Sequence, residues 1–171
     1  HPVDRENVEV ACREIERVIR LIHRLNNLQR PAGREQRSVD INATLQEVLS
    51  LMGKQFARAH VVVQTDWGPD MPSVMGHADQ LAQVFLNLAL NALEAMPAGA
   101  TLSVATECSS DEWVRVTFAD NGVGISPETL SHIFEPFYTT KAEGLGLGLT
   151  VCSTIVEAHG GHLELRSEAD K

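Results

Sequence analysis

The succession of apolar patterns along the chain predicts an α+β fold: a two-layer α/β sandwich with helices on one face of a mixed sheet, preceded by a long separate helix. Three observations carry this. Segments around 4–29, 45–56, 81–95 and 149–156 place apolar residues three and four apart, the period of helices with one buried face. Segments 60–65, 101–108 and 113–120 carry the Val- and Thr-rich or alternating patterns of strands. Between the last strands and the last helix lies a loop-rich stretch, Asp120 to Leu149, with a glycine cluster at each end.

Taken in order, Asp4 to Gln29 reads as one helix. Val8, Cys12, Ile15, Ile19 and Ile22 step by four and three, Ala11, Val18 and Leu25 widen the stripe, and Pro31-Ala32-Gly33 stops it. So wide a stripe must pack on something, either this same domain or another helix. Arg34 to Arg37 is a polar linker and Val39-Asp40-Ile41 a short edge strand. Asn42 or Thr44 is placed to cap the next helix, whose stripe is Leu45, Val48, Leu49, Met52 and Phe56. His60 to Thr65 is a strand, and Trp67 to Pro72 a loop in which Trp67 shields the core. A helix from Ala78 to Met96 buries Leu81, Val84, Phe85, Leu88, Ala92 and Ala95. Pro97-Ala98-Gly99 then turns the chain into two antiparallel strands, 101–108 and 113–120, joined by the polar hairpin 109–112. Ser126 caps a short helix with Pro127 in its first turn. Phe134, Phe137 and Tyr138 fall together as a plug beneath a loop. A last helix, from about Gly146 to Ala158, packs through Leu149, Cys152, Ile155 and Val156. His159-Gly160-Gly161-His162 leads from it to a strand, Leu163 to Arg166.

Composition narrows the function. With 14 Lys+Arg against 23 Asp+Glu the formal charge is −9, which argues against nucleic acid or an anionic membrane as the main partner. The three cysteines, Cys12, Cys108 and Cys152, form no CxxC pair and suit a reducing, cytoplasmic compartment. No apolar run reaches the length of a membrane span and no signal peptide is visible, so any membrane attachment is expected through segments outside this chain.

The chemistry-bearing residues lie on the 78–96 helix and in the glycine-flanked stretch. Asn87, Asn91 and Glu94 fall at i, i+4 and i+7 and share a face. Asparagine is a poor helix-interior residue, so two on one face call for a reason: either solvated amides, or a side-chain carbonyl aimed at a hard cation such as Mg²⁺. Asp120 ends an alternating strand, where its carboxylate can accept a hydrogen bond from an exocyclic amine such as that of adenine. A glycine run opening a helix leaves free N–H groups and a dipole that favour phosphate. No GxxxxGK[ST] loop is present. His159 and His162 flank a glycine turn with no third ligand near them in sequence, which disfavours zinc.

At these residues the chain resembles the catalytic, ATP-binding half of a sensor histidine kinase, in the larger group that includes Hsp90, gyrase and MutL. Leu86-Asn87-Leu88-Ala89-Leu90-Asn91-Ala92 is similar to the N box, and Asp120-Asn121-Gly122-Val123-Gly124 to the first glycine box. Phe134-Glu135-Pro136-Phe137 resembles the F box, and Gly144-Leu145-Gly146-Leu147-Gly148-Leu149 the second glycine box. The four stand in the family's order, and the resemblance runs from about Asp40 onward. Glu94-Ala95-Met96 is similar to the nitrogen-regulation-like subgroup.

The resemblance implies a Bergerat-type ATP-binding fold over 34–171. Residues 1–33 would be the second helix of a dimerisation and phosphoacceptor hairpin, ending in Arg30-Pro31. It implies ATP and Mg²⁺ as ligands, with Asn91 the metal ligand and Asn87 beside it. Nucleotide contacts would come from Asp120, Gly122, Gly124, Ile125, Phe134, Phe137, Thr140, Lys141, Gly144, Leu145, Gly146, Leu147, Gly148 and Leu149. Residues 139–143 would be a short lid whose Lys141 meets a β- or γ-phosphate. The implied reaction is transfer of the γ-phosphoryl group to a histidine, for relay to the receiver domain of a response regulator, in a homodimer. ATP-hydrolysing relatives carry a glutamate where this chain has Asn87, which favours transfer over a hydrolytic clamp; a nucleotide-binding dimerisation module without transfer is the other alternative. Three departures are expected to matter. His1-Pro2-Val3-Asp4 and His23 lack the H box around a phosphoacceptor, so this chain is expected not to phosphorylate itself. Glu94 stands where many relatives carry a basic residue that meets a phosphate, and is read as structural or as supporting the site. His77 stands where an aspartate is usual and is read as a helix-capping variant. The family's final edge strand is expected to be missing after Lys171.

Overall fold

The structure, a computed structural model, describes residues 36–110, 113–141 and 145–167. The chain divides into two compact units, His1–Gly33 and Arg34–Lys171, and every described residue belongs to the second. The expected long helix, His23 and Arg30-Pro31 therefore lie outside the described residues, as do Gly144 and the end of the chain.

The described residues form five strands and four helices. Strand β1 (Arg37–Val39) pairs antiparallel with β3 (Val74–Gly76) in a small separate sheet. Helix α1 (Ile41–Arg58) begins where the sequence suggested a strand would continue. The reason is its cap: the Asp40 carboxylate accepts from the Ala43 N–H at 2.9 Å, satisfying a first-turn donor. Asp40 thus takes the role expected of Asn42 or Thr44, and Ile41 becomes the first buried residue of the helical stripe. Asn42 instead accepts a 2.8 Å hydrogen bond from the buried Thr106 hydroxyl, which itself receives the Gly68 N–H at 3.0 Å. β3 lies between the expected loop at 67–72 and the expected helix from Ala78, in a stretch for which the sequence suggests no element, because three residues are too few to show a period.

The main sheet has the order β2-β4-β5, with β2 (Val62–Trp67) parallel to β4 (Thr101–Ser110) and β4 antiparallel to β5 (Trp113–Asp120). It is mixed, as expected. Leu102, Val104 and Thr106 alternate into the core from β4, and Val114, Val116 and Phe118 follow from β5. Helix α2 (Ala78–Ala95) covers that face, burying Leu81, Val84, Phe85, Ala89 and Ala92. Ala89 lies deeper than the expected Leu88, a turn of the stripe by one position. The Phe85 ring stacks on Phe118 with centroids 6.3 Å apart. Full burial of side chains such as Leu45, Leu102 and Val104 stabilises by about 1.5–3 kcal/mol each.

Helices α3 (Pro127–His132) and α4 (Gly148–Ala158) follow, α3 capped by Ser126 through the Thr129 N–H as the sequence suggests. α4 packs on α2 through the fully buried Cys152 and through Ile155. Its C-terminal cap His159 donates from Nδ1 to the Ile155 carbonyl at 2.7 Å, while Nε2 accepts the His77 N–H at 3.0 Å. The first bond fixes the ring on α4, and the second joins it to the residue before α2. His77 occupies the N-cap position, yet its ring makes no capping bond and stands edge-on to His159. The expected strand Leu163–Arg166 is not one: among the described residues, 161–167 pair with no strand. His162 still meets Trp113 at the start of β5, and Ser167 accepts from Ile125 in the loop after β5. Among the described residues no helix is long and apolar enough to cross a membrane.

Candidate functional site

The Asn pair sits on the side of α2 that faces α4. Asn87 and Asn91 are half-buried, unlike solvated surface amides. The Asn87 side chain bonds the Cys152 thiol, which burial pushes up from an ordinary 9.0 to about 11 against the opposing pull of that hydrogen bond. The Asn91 amide faces the first residue of α4: a Cβ on Gly148 would stand 4.0 Å from its nitrogen. One amide thus seats α4 on α2, and the other faces the helix N-terminus whose free N–H groups follow Leu147.

The first glycine loop is anchored to the body of the domain. The Asn121 side chain accepts the Thr101 N–H at 2.7 Å, and the Val123 N–H reaches the Ala95 carbonyl at 3.1 Å. Gly122 lies so close to the end of α2 that a Cβ would meet the Ala95 oxygen at 2.6 Å and Asp120 Oδ1 at 2.7 Å. Its small size is therefore needed for packing against α2, a different reason from close approach to a ligand. Gly124 takes φ of +71°. Asp120 accepts the Gly122 N–H at 2.9 Å through Oδ1, which orients the exposed carboxylate at the end of β5. The Ile125 N–H donates to the Ser167 hydroxyl at 2.8 Å.

The F box and the second glycine box close on each other. The Phe137 N–H donates to the Gly146 carbonyl at 3.0 Å, with φ of +67° at Phe137 and +64° at Gly146. A Cβ at Gly146 would collide with the Phe137 carbonyl carbon at 2.4 Å and the Tyr138 oxygen at 2.5 Å, so only glycine fits. The Phe134 carbonyl accepts from the Thr150 hydroxyl at 3.2 Å, tying the F box to α4. The expected aromatic plug is not formed. Phe137 is 74% exposed and Phe134 is 37%, and Val123 and Leu145 are exposed as well. A positive φ turns Phe137 outward, whereas Tyr138 is half-buried against the His132 ring. Thr140 is exposed. Lys141, expected to meet a phosphate, instead pairs with the Glu94 carboxylate on α2. Leu147 and Leu149 are half-buried at the start of α4.

The geometry therefore brings Asn91, Gly148 and the Glu94–Lys141 pair to one side of α2 and Asp120 to its end. Sequence reasoning missed the anchoring role of Asn121 and the pairing of Glu94. Asn121 lay inside a recognised motif, and the partner of Glu94 is 47 residues away.

Residues 76–171 match the family of histidine kinase-, DNA gyrase B- and HSP90-like ATPases. The chain belongs to this family. Within it, the chain is 36% identical over 173 residues to the sensor histidine kinase ZraS of Klebsiella oxytoca, covering 99% of this chain and 37% of that protein. The chain thus spans well under half the length of that curated relative. The catalytic domain of the histidine kinase ThkA superposes with a TM-score of 0.66 at 28% identity, over 74% of this chain and 82% of that one. Full-length ShkA, solved in complex with AMPPNP, superposes with a TM-score of 0.69 at 26% identity, over 82% of this chain and 30% of that one. The family resemblance read from the four boxes is thereby established, with the α+β fold that it implied.

Proposed function

We propose that residues 34–171 are the ATP-binding kinase domain of a two-component sensor histidine kinase of the nitrogen-regulation-like subgroup. The reaction is transfer of the ATP γ-phosphoryl group to a histidine imidazole on a dimerisation hairpin, for relay to an aspartate of a response regulator. The observation that carries this is the meeting of Asn91 with the glycine-opened N-terminus of α4, with Asp120 held at the end of β5. ShkA, similar in fold, was solved in complex with AMPPNP, which supports a nucleotide as the ligand here.

In this reading Asp120 accepts the adenine amine, its carboxylate aimed by the Gly122 N–H. The N–H groups at the start of α4 and the Gly146–Leu149 turn face the phosphates. A half-buried side-chain amide suits a hard oxygen-seeking ion, so Asn91 would hold Mg²⁺, which supplies charge neutralisation at the phosphates. Asn87 fixes α4 through Cys152, and the remaining catalysis is positioning. Residues 1–33 act as the dimerising helix. An amide at position 87, engaged with a thiol, is not placed as a base for water, which disfavours the hydrolytic clamp.

The test is calorimetry of ATP binding with and without Mg²⁺, on this chain and on Asp120→Ala. Binding that Mg²⁺ strengthens and the substitution weakens by roughly 10- to 100-fold is expected. No heat from the unsubstituted chain would end the nucleotide reading, and steady ATP turnover without an acceptor would favour the clamp.

A further inference from the structure

Glu94 lies in the last turn of α2, a turn that carries no basic residue. A carboxylate there faces the negative end of the helix dipole, its least favourable position on a helix. It is three residues beyond Asn91, on the same face. Its partner Lys141 follows the F box, and the Lys141 N–H is itself turned back onto the Thr139 hydroxyl at 3.1 Å. A few residues earlier, the Phe137–Gly146 hydrogen bond closes the same segment. The ion pair therefore fastens this segment to the helix that carries Asn91. The two side chains are 46% and 42% exposed, so the pair is weak and open to competition from another anion.

We propose that Glu94 is a positioning residue that holds Lys141 off the phosphate site until a polyphosphate displaces it, so that nucleotide binding is a partner exchange by Lys141. The proposal rests on the nucleotide reading above. A lysine ammonium is a compact charge that cannot neutralise Glu94 and a phosphate oxygen equally well. The carboxylate therefore competes with the ligand, lowers nucleotide affinity and keeps the 137–141 segment in place when no nucleotide is bound.

The experiment compares this chain with Glu94→Gln, Lys141→Met and the double variant. ATP·Mg²⁺ affinity is measured by calorimetry, and amide hydrogen exchange at Phe137 and Lys141 without nucleotide. Both residues are exposed, so the variants fold. Glu94→Gln should tighten binding by about two- to fivefold, the range that an exposed ion pair supports, and speed exchange. Lys141→Met should weaken binding, and Glu94→Gln should add nothing in that background. An undiminished effect of Glu94→Gln beside Lys141→Met would mean direct repulsion of phosphate and overturn the proposal. So would unchanged affinity and exchange in Glu94→Gln. If the unsubstituted chain binds no nucleotide, the nucleotide reading fails and the exchange of partners with it. The exchange rates are read without ligand, which keeps that failure distinct from the absence of a holding ion pair.

Discussion

Between Asp120 and Gly124 the chain is tied to elements that belong to the core: Asn121 to the first residue of β4, Val123 to the last residue of α2, and Gly122 packed against that same helix end. Between Phe134 and Leu147, among the described residues, it is tied to itself through Phe137–Gly146 and Lys141–Thr139, to His132 of α3, a helix that buries no residue, through Glu135 and Tyr138, and to α2 and α4 through an exposed ion pair and a threonine bond. A loop held by the core shares its global stability, whereas a loop held by local bonds opens on its own at lower cost. The first loop is suited to presenting one fixed carboxylate. The second is suited to rearranging around an anion.

The largest expected effect sharpens the fixed side. Asp120→Ala should lower ATP affinity by roughly 10- to 100-fold, the worth of a hydrogen bond to a charged group, with little change in the unfolding midpoint. A titration showing undiminished affinity would remove Asp120 from the site. Next, Gly122→Ala should destabilise the domain by about 1–3 kcal/mol in urea unfolding, because the added methyl meets backbone that cannot move independently. Gly146→Ala brings about 1–2 kcal/mol of left-handed strain and meets the Phe137 and Tyr138 backbone, but that loop can open locally, so less of this should appear in the same assay than at Gly122 while nucleotide binding is impaired. Equal stability losses at the two glycines would break the contrast between the loops.

A pH experiment probes the seam between α2 and α4 on which both loops depend. Folding raises the Cys152 thiol from 9.0 to about 11, so the folded state binds that proton more tightly than the unfolded chain. The contribution is complete below pH 9 and is lost as pH climbs from there through about 11. By pH 10 the loss should be on the order of 1 kcal/mol relative to pH 8. Subtracting the same measurement on Cys152→Ala isolates it from lysine and tyrosine titration, and parallel pH profiles would show that the thiol is not buried as described. The smallest effect belongs to the exposed aromatic: Phe137→Ala should change stability by no more than about 0.5 kcal/mol. A larger loss would mean that its ring is packed.

Long periodic segments were legible in the chain and short ones were not. The stripes of α1 and α2, the β4–β5 hairpin and the Ser126 cap lie close to where the patterns put them. β3 was invisible, and Leu163–Arg166 has a strand's composition without its pairing. Asp40 overtook two equally suitable caps because the choice depends on where β1 stops pairing with β3. In the candidate site, Asn91, Asp120 and Gly146 stand out by residue type and spacing, whereas the groups they touch do not.

What the sequence determined by itself is whatever a local rule can encode: which residues repeat at 3.6 or 2, where glycine must supply a positive φ, and which polar residues interrupt an otherwise apolar helix. What the tertiary structure decided is every pairing across long separations: Asn121 with Thr101, Asn87 with Cys152, Phe134 with Thr150 and Lys141 with Glu94. A hydrogen bond or ion pair needs two groups within a few ångströms, and only the packing of α2 against α4 and the sheet sets those distances.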